Sequence, residues 1–101
     1  MPADLHGLTE IDRVIHEPAR LALTAILSVV ESADFLYLQR ETGLTKGNLS
    51  SHLAKLEEAG YVTIEKTYRG RIPLTLVRLT DPGLAAYQAY RARIKKFLEK
   101  T

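Results

Sequence analysis

Hydrophobic positions along the chain change period near residue 61, and that change divides it into a helical part and a ribbon followed by one more helix. From Pro18 to about Val30, the residues Leu21, Ala22, Leu23, Ala25, Ile26, Leu27, Val29 and Val30 leave only Arg20, Thr24 and Ser28 polar. A helix apolar almost all round is covered on several sides, and in so short a chain part of that cover is expected from a second subunit. Pro18 suits the first helical position and opens this helix. Upstream, Thr9 can cap a short helix over Glu10 to Ile15, with Glu10 and Asp12 in the first turn where the dipole favours carboxylates. Glu31-Ser32-Ala33-Asp34 reads as a polar break, with Asp34 capping a short helix from Phe35 to Glu41 that Gly43 stops. The next helix starts at once, from Thr45 to Ala59. Leu49, Leu53 and Leu56 recur at spacings of four and three as its buried stripe, and Gly60 ends it.

After Gly60 the period falls to two. Tyr61-Val62-Thr63-Ile64-Glu65-Lys66 and Leu74-Thr75-Leu76-Val77-Arg78-Leu79 alternate and are rich in β-branched and aromatic residues, which predicts two strands. Thr67-Tyr68-Arg69-Gly70-Arg71 lies between them as a basic hairpin tip, and Pro73 marks an exposed or edge ribbon there. Thr80 can cap a last helix from Asp81-Pro82 to about Glu99, on which Tyr87, Tyr90, Ile94 and Phe97 recur at 3, 4, 3. Two helices joined by three or four residues containing Gly form a helix-turn-helix. Followed by a hairpin and a long helix, they define a mainly α fold with a β-hairpin wing, the winged helix-turn-helix. One domain over residues 1–101 is expected, with no internal repeat or linker.

Composition sharpens this picture in two ways. The chain of 101 residues has 46% hydrophobic residues, enough for one modest core, and no Cys, which removes disulfides, thiolate metal sites and cysteine nucleophiles. The stretch Met1 to Gly7 has no basic region leading into an apolar one, and the greasy run Leu21 to Val30 is too short to span a bilayer, so a cytoplasmic protein is expected. The formal net charge is only +2, yet residues 1–44 sum to −4 and residues 45–101 to +6. The second part is therefore the candidate for a polyanion-facing surface. Arg91, Arg93, Lys95, Lys96 and Lys100 belong to the last helix and suit its dipole and solvated face. The remaining cations include Lys46, Lys55, Lys66, Arg69 and Arg71, on the helix from Thr45 and on the hairpin.

With Leu49, Leu53 and Leu56 inward, helical geometry turns Gly47, Ser51, Ala54, Lys55 and Glu58 outward and leaves Asn48, Ser50 and His52 at the rims. Thr45, Lys46, Asn48, Ser50, Ser51 and His52 are donors and acceptors suited to phosphates and groove edges, and Gly47 permits close approach to a backbone. Asn48, Ser51 and His52 are the candidates for base readout. Lys46, Lys55, Lys66, Arg69 and Arg71 are the candidates for phosphate neutralisation. Tyr87, Tyr90, Ile94 and Phe97, with Leu84 beside them and Leu23 and Leu27 on the apolar helix, are candidates for a dimer seam that doubles as core.

The stretch Gly43-Leu44-Thr45-Lys46-Gly47-Asn48-Leu49-Ser50-Ser51-His52-Leu53-Ala54-Lys55-Leu56-Glu57-Glu58-Ala59-Gly60-Tyr61-Val62, then Lys66, Gly70-Arg71-Ile72-Pro73 and Leu79-Thr80, resembles small stand-alone winged-helix transcriptional regulators related to the ArsR and MarR families. The resemblance runs from about residue 10 to 100. It implies a cytoplasmic prokaryotic homodimer that joins through its N- and C-terminal helices and binds operator DNA. Metal-sensing members use Cys or clustered His and Asp; this chain has no Cys and no His pair at i, i+4, so no metal and no cofactor is expected.

Other chemistries fail on geometry. Ser50, Ser51 and His52 diverge on a helix and lack a third group to orient the imidazole, and Glu57 and Glu58 point about 100° apart. Thr45-Lys46-Gly47 lacks the phosphate-loop pattern. Asn48-Leu49-Ser50 is formally a glycosylation acceptor within a helix, and His6 and His16 are ten residues apart and not expected to be ligands. No catalytic residue is assigned. The expectation is a regulator that binds a roughly palindromic double-stranded operator as a homodimer, without membrane contact. The alternative is a winged-helix docking module without DNA binding. An effector, if one acts, would sit at the wing or between subunits, near Leu23, Leu27 and Tyr87.

Overall fold

The computed structural model describes residues 9–100; the stretch Met1 to Gly7 and His6 within it, read above, lie outside the described residues. The elements run α1 (Pro18–Leu27), β1 (Ala33–Asp34), α2 (Phe35–Thr42), α3 (Lys46–Glu58), β2 (Val62–Arg69), β3 (Ile72–Leu79) and α4 (Asp81–Lys100). This is the winged-helix arrangement that the periodicity predicts.

Local chemistry sets most boundaries. Glu17 caps α1, its carboxylate accepting from the Ala19 amide, with Pro18 in the first turn. Asp34 Oδ1 accepts from the Tyr37 amide at 2.8 Å to start α2, and Thr45 Oγ1 accepts from the Asn48 amide at 3.1 Å to start α3. Thr80 Oγ1 accepts from Gly83 N at 3.0 Å at the head of α4 while its hydroxyl donates to the Gly60 carbonyl at 2.6 Å.

Three boundaries differ from expectation. Residues 10–17 form turns and bends rather than a helix capped by Thr9. The Asp12 carboxylate takes the amides of Val14 and Ile15 at 2.8 and 3.2 Å, a local side-chain alternative to a helical ladder. Helix α1 stops at Leu27 instead of Val30, because the Ser28 hydroxyl bonds back to the Ala25 carbonyl at 2.7 Å and Val29 beyond it is 82% exposed. The stretch expected to be a polar break contains a strand: Ala33 and Asp34 pair antiparallel with Val77 and Leu76. The sheet thus has three strands in the order β1-β3-β2.

The hairpin is tighter than its sequence suggested. Arg69 pairs with Ile72, so only Gly70 and Arg71 form the loop. Gly70 has φ +64 while no non-glycine among the described residues has positive φ, the pattern of a II′ turn with glycine at its first central position.

One core holds the helices to the sheet. Leu23, Leu27, Ala33, Leu38, Leu49, Leu53, Leu56, Val62 and Val77 form it, with α1, α2, α3 and the sheet all contributing. For Leu23 and Leu27 the cover is supplied within one chain, as they are 0% and 2% exposed in this cluster, while Leu21, Ala22, Ala25 and Ile26 are half-buried. Even the polar Thr24 is buried, its hydroxyl bonding back to the Arg20 and Leu21 carbonyls.

A second cluster ties the N-terminal segment to α4 through Ile11, Ile15 and Tyr90, with Leu21, Tyr61, Tyr87 and Ile94 packed against it. Its polar edges are satisfied. Tyr90 Oη lies 2.9 Å from His16 Nδ1, and the Tyr61 hydroxyl donates to Asp12 Oδ2 at 2.5 Å. That bond to Asp12, then burial and the carboxylate's charge, push the Tyr61 phenol up to about 12.

Gly83 marks the closest approach of α4 to the start of β2: a Cβ there would stand 2.2 Å from the Tyr61 carbonyl oxygen and 2.9 Å from Leu79 Cδ1. Gly83→Ala is therefore expected to lower the unfolding free energy in urea by about 3 kcal/mol, the upper range for overpacking. An unchanged midpoint would refute the contact. The Tyr61 phenol, raised above its ordinary value of 10, favours its neutral form in the fold. Its contribution is complete below about pH 10 and is lost as the pH rises through about 12. Over that range wild type should lose more stability than Tyr61→Phe; parallel curves would remove the Asp12 bond from the account.

Candidate nucleic-acid interface

Helix α3 is seated by its apolar stripe. Leu49, Leu53 and Leu56 are 0 to 2% exposed, and the helix turns the opposite face outward. Thr45, Lys46, Gly47, Asn48, Ser50, Ser51 and Lys55 are all exposed, so the first two turns carry hydroxyl, amide and ammonium groups into solvent without a bulky side chain among them. The Thr45 hydroxyl closes the first turn by accepting from the Asn48 amide.

His52 behaves differently from its neighbours. It is half-buried, and its Nδ1 lies 3.1 Å from Arg20 Nη1 and 3.3 Å from Glu17 Oε2. Arg20 is itself fixed, its Nε donating to the Val14 carbonyl at 2.6 Å, and it stands 3.7 Å from Glu17. With a lone pair on Nδ1 the ring accepts from Arg20; with a proton there it donates to Glu17. One ring nitrogen of the expected base reader is thereby committed to holding α3 against the head of α1. Sequence reasoning passed over Glu17 and Arg20, whose i, i+3 spacing was the available signal.

The wing cations do not share one face. Side chains alternate along a strand, so Lys66 lies on the face of Val62 and Ile64, whereas Arg69 lies on the face of Glu65 and Thr67. Arg71 occupies the turn. Arg69 and Arg71 flank Gly70 at the exposed tip, beside Tyr68 and Ile72, which are 69% and 68% exposed. Among the described residues, Lys46, Lys55, Lys66, Arg69 and Arg71 make no ion pair.

The expected dimer seam divides. Leu23 and Leu27 belong to the core of a single chain and are closed to a second copy, which also removes them as walls of an effector site between subunits. Tyr90 is 7% exposed against Ile11 and Ile15. Leu84, Tyr87, Ile94 and Phe97 are half-buried, the Arg91 guanidinium lies 5.9 Å from the Tyr87 ring centroid, and Leu98 is 63% exposed. The outer half of α4 thus keeps apolar surface that one chain does not cover.

The family described as winged helix DNA-binding domain matches residues 19–98. The chain belongs to that family. A protein of Methanocaldococcus jannaschii, MJ0432, is 35% identical over 79 residues, which cover 77% of this chain and 85% of that protein. The solved structure of a transcriptional regulator homologue from Pyrococcus horikoshii OT3 is 31% identical and covers 93% of this chain and 95% of its own, with a TM-score of 0.88. The ArsR family transcriptional regulator RHA00566 shares the fold at a TM-score of 0.58 and 21% identity, over 100% and 99% of the two chains. The winged-helix domain is thus one similar to transcriptional regulators, the ArsR type among them. No helix among the described residues is long and apolar enough to cross a membrane, and no group of three His, Asp or Glu there could hold a metal ion.

Thr45→Ala removes the acceptor that closes the first turn of α3 and is expected to lower the unfolding free energy by about 1 kcal/mol, with Thr45→Ser near wild type. Chemical denaturation of the three proteins measures it, and equal stability of all three would remove the cap from the site.

Proposed function

We propose that this protein is a sequence-specific, double-stranded-DNA-binding transcriptional regulator that acts as a homodimer, with α3 in the major groove and the wing on the flanking minor groove or its phosphates. The observation that carries this reading is the exposed set of polar and cationic side chains on the outward face of α3 and at the wing tip. An α-helix is about as wide as the major groove, and recognition helices meet base edges with their N-terminal residues. Asn48 and Ser51 are the readers assigned here, and His52 reaches bases only with the part of its ring turned from Arg20. Lys46, Lys55, Lys66, Arg69 and Arg71 neutralise phosphates and set register, and a narrow minor groove favours the paired arginines of the tip.

The half-buried apolar residues Leu84, Tyr87, Ile94 and Phe97 of α4 support a helix shared with a second copy. Two-fold symmetry then calls for a roughly palindromic operator, its half-sites about 10 base pairs apart.

Selection from a random DNA pool tests class and symmetry together: a palindromic enriched site is expected, and the absence of any enrichment would favour a docking domain that binds protein instead. On the selected site, log Kd against log salt should be steep. Arg69→Ala with Arg71→Ala should reduce the slope by about 2 per protomer. An unchanged slope would take the wing off the DNA.

A further inference from the structure

Beside α3, where Lys55 meets the N-terminal segment, the structure holds a cleft of about 360 Å³ lined by Arg13, Val14, Arg20, Lys55, Glu58 and Ala59. We propose that this cleft is a phosphate seat that takes one phosphodiester of the DNA strand bordering the major groove. The inference rests on the DNA-binding reading and adds to it a contact from the N-terminal segment.

The helical wheel puts the cleft where a groove wall would be. Counting about 100° per residue from the buried stripe of Leu49, Leu53 and Leu56, Ser51 and Glu58 point nearly straight outward, while Lys55 and Ala59 lie toward one flank. A helix with side chains about 10–12 Å across fills a groove about 12 Å wide, so its outward face meets bases and its flanks meet sugar and phosphate. Arg13 and Arg20 come from the segment packed on that same flank, joined to α3 through His52.

The charges sort into a fixed part and an open part. Glu17 is paired with Arg20 at 3.7 Å. The guanidinium of Arg20 is held in plane by the Val14 carbonyl and by His52, so it forms a preset wall of the cleft. Arg13 and Lys55 are exposed and make no ion pair among the described residues, and Glu58 is the one carboxylate on the lining. Two exposed cations lining a cleft beside a fixed guanidinium suit a phosphate oxyanion, to which Arg offers a planar fork and Lys a point charge. Glu58 opposes the anion and lowers affinity. It gives the seat a substitution of opposite sign.

The experiment uses the full chain and the DNA site selected above, with fluorescence anisotropy from about 50 to 200 mM salt. Arg13→Ala should weaken binding about tenfold at roughly 0.1 M salt and reduce the salt slope by about 0.9 per protomer. Glu58→Gln should tighten binding. Arg13 is exposed and bears no hydrogen bond of the core, so its unfolding midpoint should match wild type, which separates a lost contact from a lost fold. Wild type that binds DNA while Arg13→Ala keeps affinity and slope would overturn the seat and leave the regulator reading standing. Wild type that binds no DNA at all would overturn both. Inorganic phosphate titrated into the free protein supplies the remaining arm: saturable shifts of the Arg13 and Lys55 amides, with DNA binding indifferent to Arg13→Ala, would assign the cleft to a free anion and reject the phosphodiester.

Discussion

Sealing Leu49, Leu53 and Leu56 into the core is the constraint from which the exposed face of α3 follows. The three leucines pack in one cluster with Leu23 and Leu27 of α1, Leu38 of α2, and Val62 and Val77 of the sheet. Burying each is worth about 2 kcal/mol, so the stripe together is comparable with the whole net stability of a small domain. Turning α3 by a single residue, about 100°, would drag these side chains toward water and bring Asn48 or Ser50 inside without a partner. The helix therefore has one rotational setting. Its outward residues are a consequence of what is inside, and the exposed face is set by the core beneath it.

A polar frame around the N-terminal segment fixes the position of α3 along and across the sheet. Asp12 binds two amides of its own turn with one oxygen and the Tyr61 hydroxyl with the other, so a single carboxylate shapes the segment before α1 and pins it beside the start of β2. Glu17 caps α1 and faces His52, while Arg20 spans the Val14 carbonyl and the same imidazole. These groups are partly covered, where a hydrogen bond to a charge is stronger than in water and an unpaired one costly. The segment is thereby a structural part of the α3 flank rather than a leader to it. That is why Arg13 lines a cleft with Lys55, although 42 positions separate them in sequence.

Much of the fold was legible because its signals are local. The caps at Asp34, Thr45 and Thr80, the stop at Gly43 and the alternation of the ribbon depend on neighbours within four residues, and each stands within a residue or two of its expected place. The short strand Ala33–Asp34 was illegible for the opposite reason. Two residues carry no period, and their pairing depends on Leu76 and Val77 lying alongside. The helix expected over Glu10 to Ile15 failed because one carboxylate competed successfully for its amides. The six-residue alternation from Tyr61 to Lys66 was read, but not that the strand runs on to Arg69 and sends Lys66 and Arg69 to opposite faces of the wing.

By itself the sequence determined which residues α3 turns outward, where α2, α3 and α4 begin and stop, and that a basic ribbon follows α3; periodicity and capping act over a few residues and need no partner. Tertiary structure alone decided three matters. It assigned Leu23 and Leu27 to the core of one chain rather than to a seam between two, because burial depends on which neighbours arrive first to cover an apolar face. It placed one nitrogen of His52 against Arg20 and Glu17, to accept from the first or donate to the second, turning an expected reader partly into a brace. And it gathered Arg13, Arg20 and Lys55 around one cleft, since charges this far apart in sequence meet only when the core has set the angles of the elements that carry them.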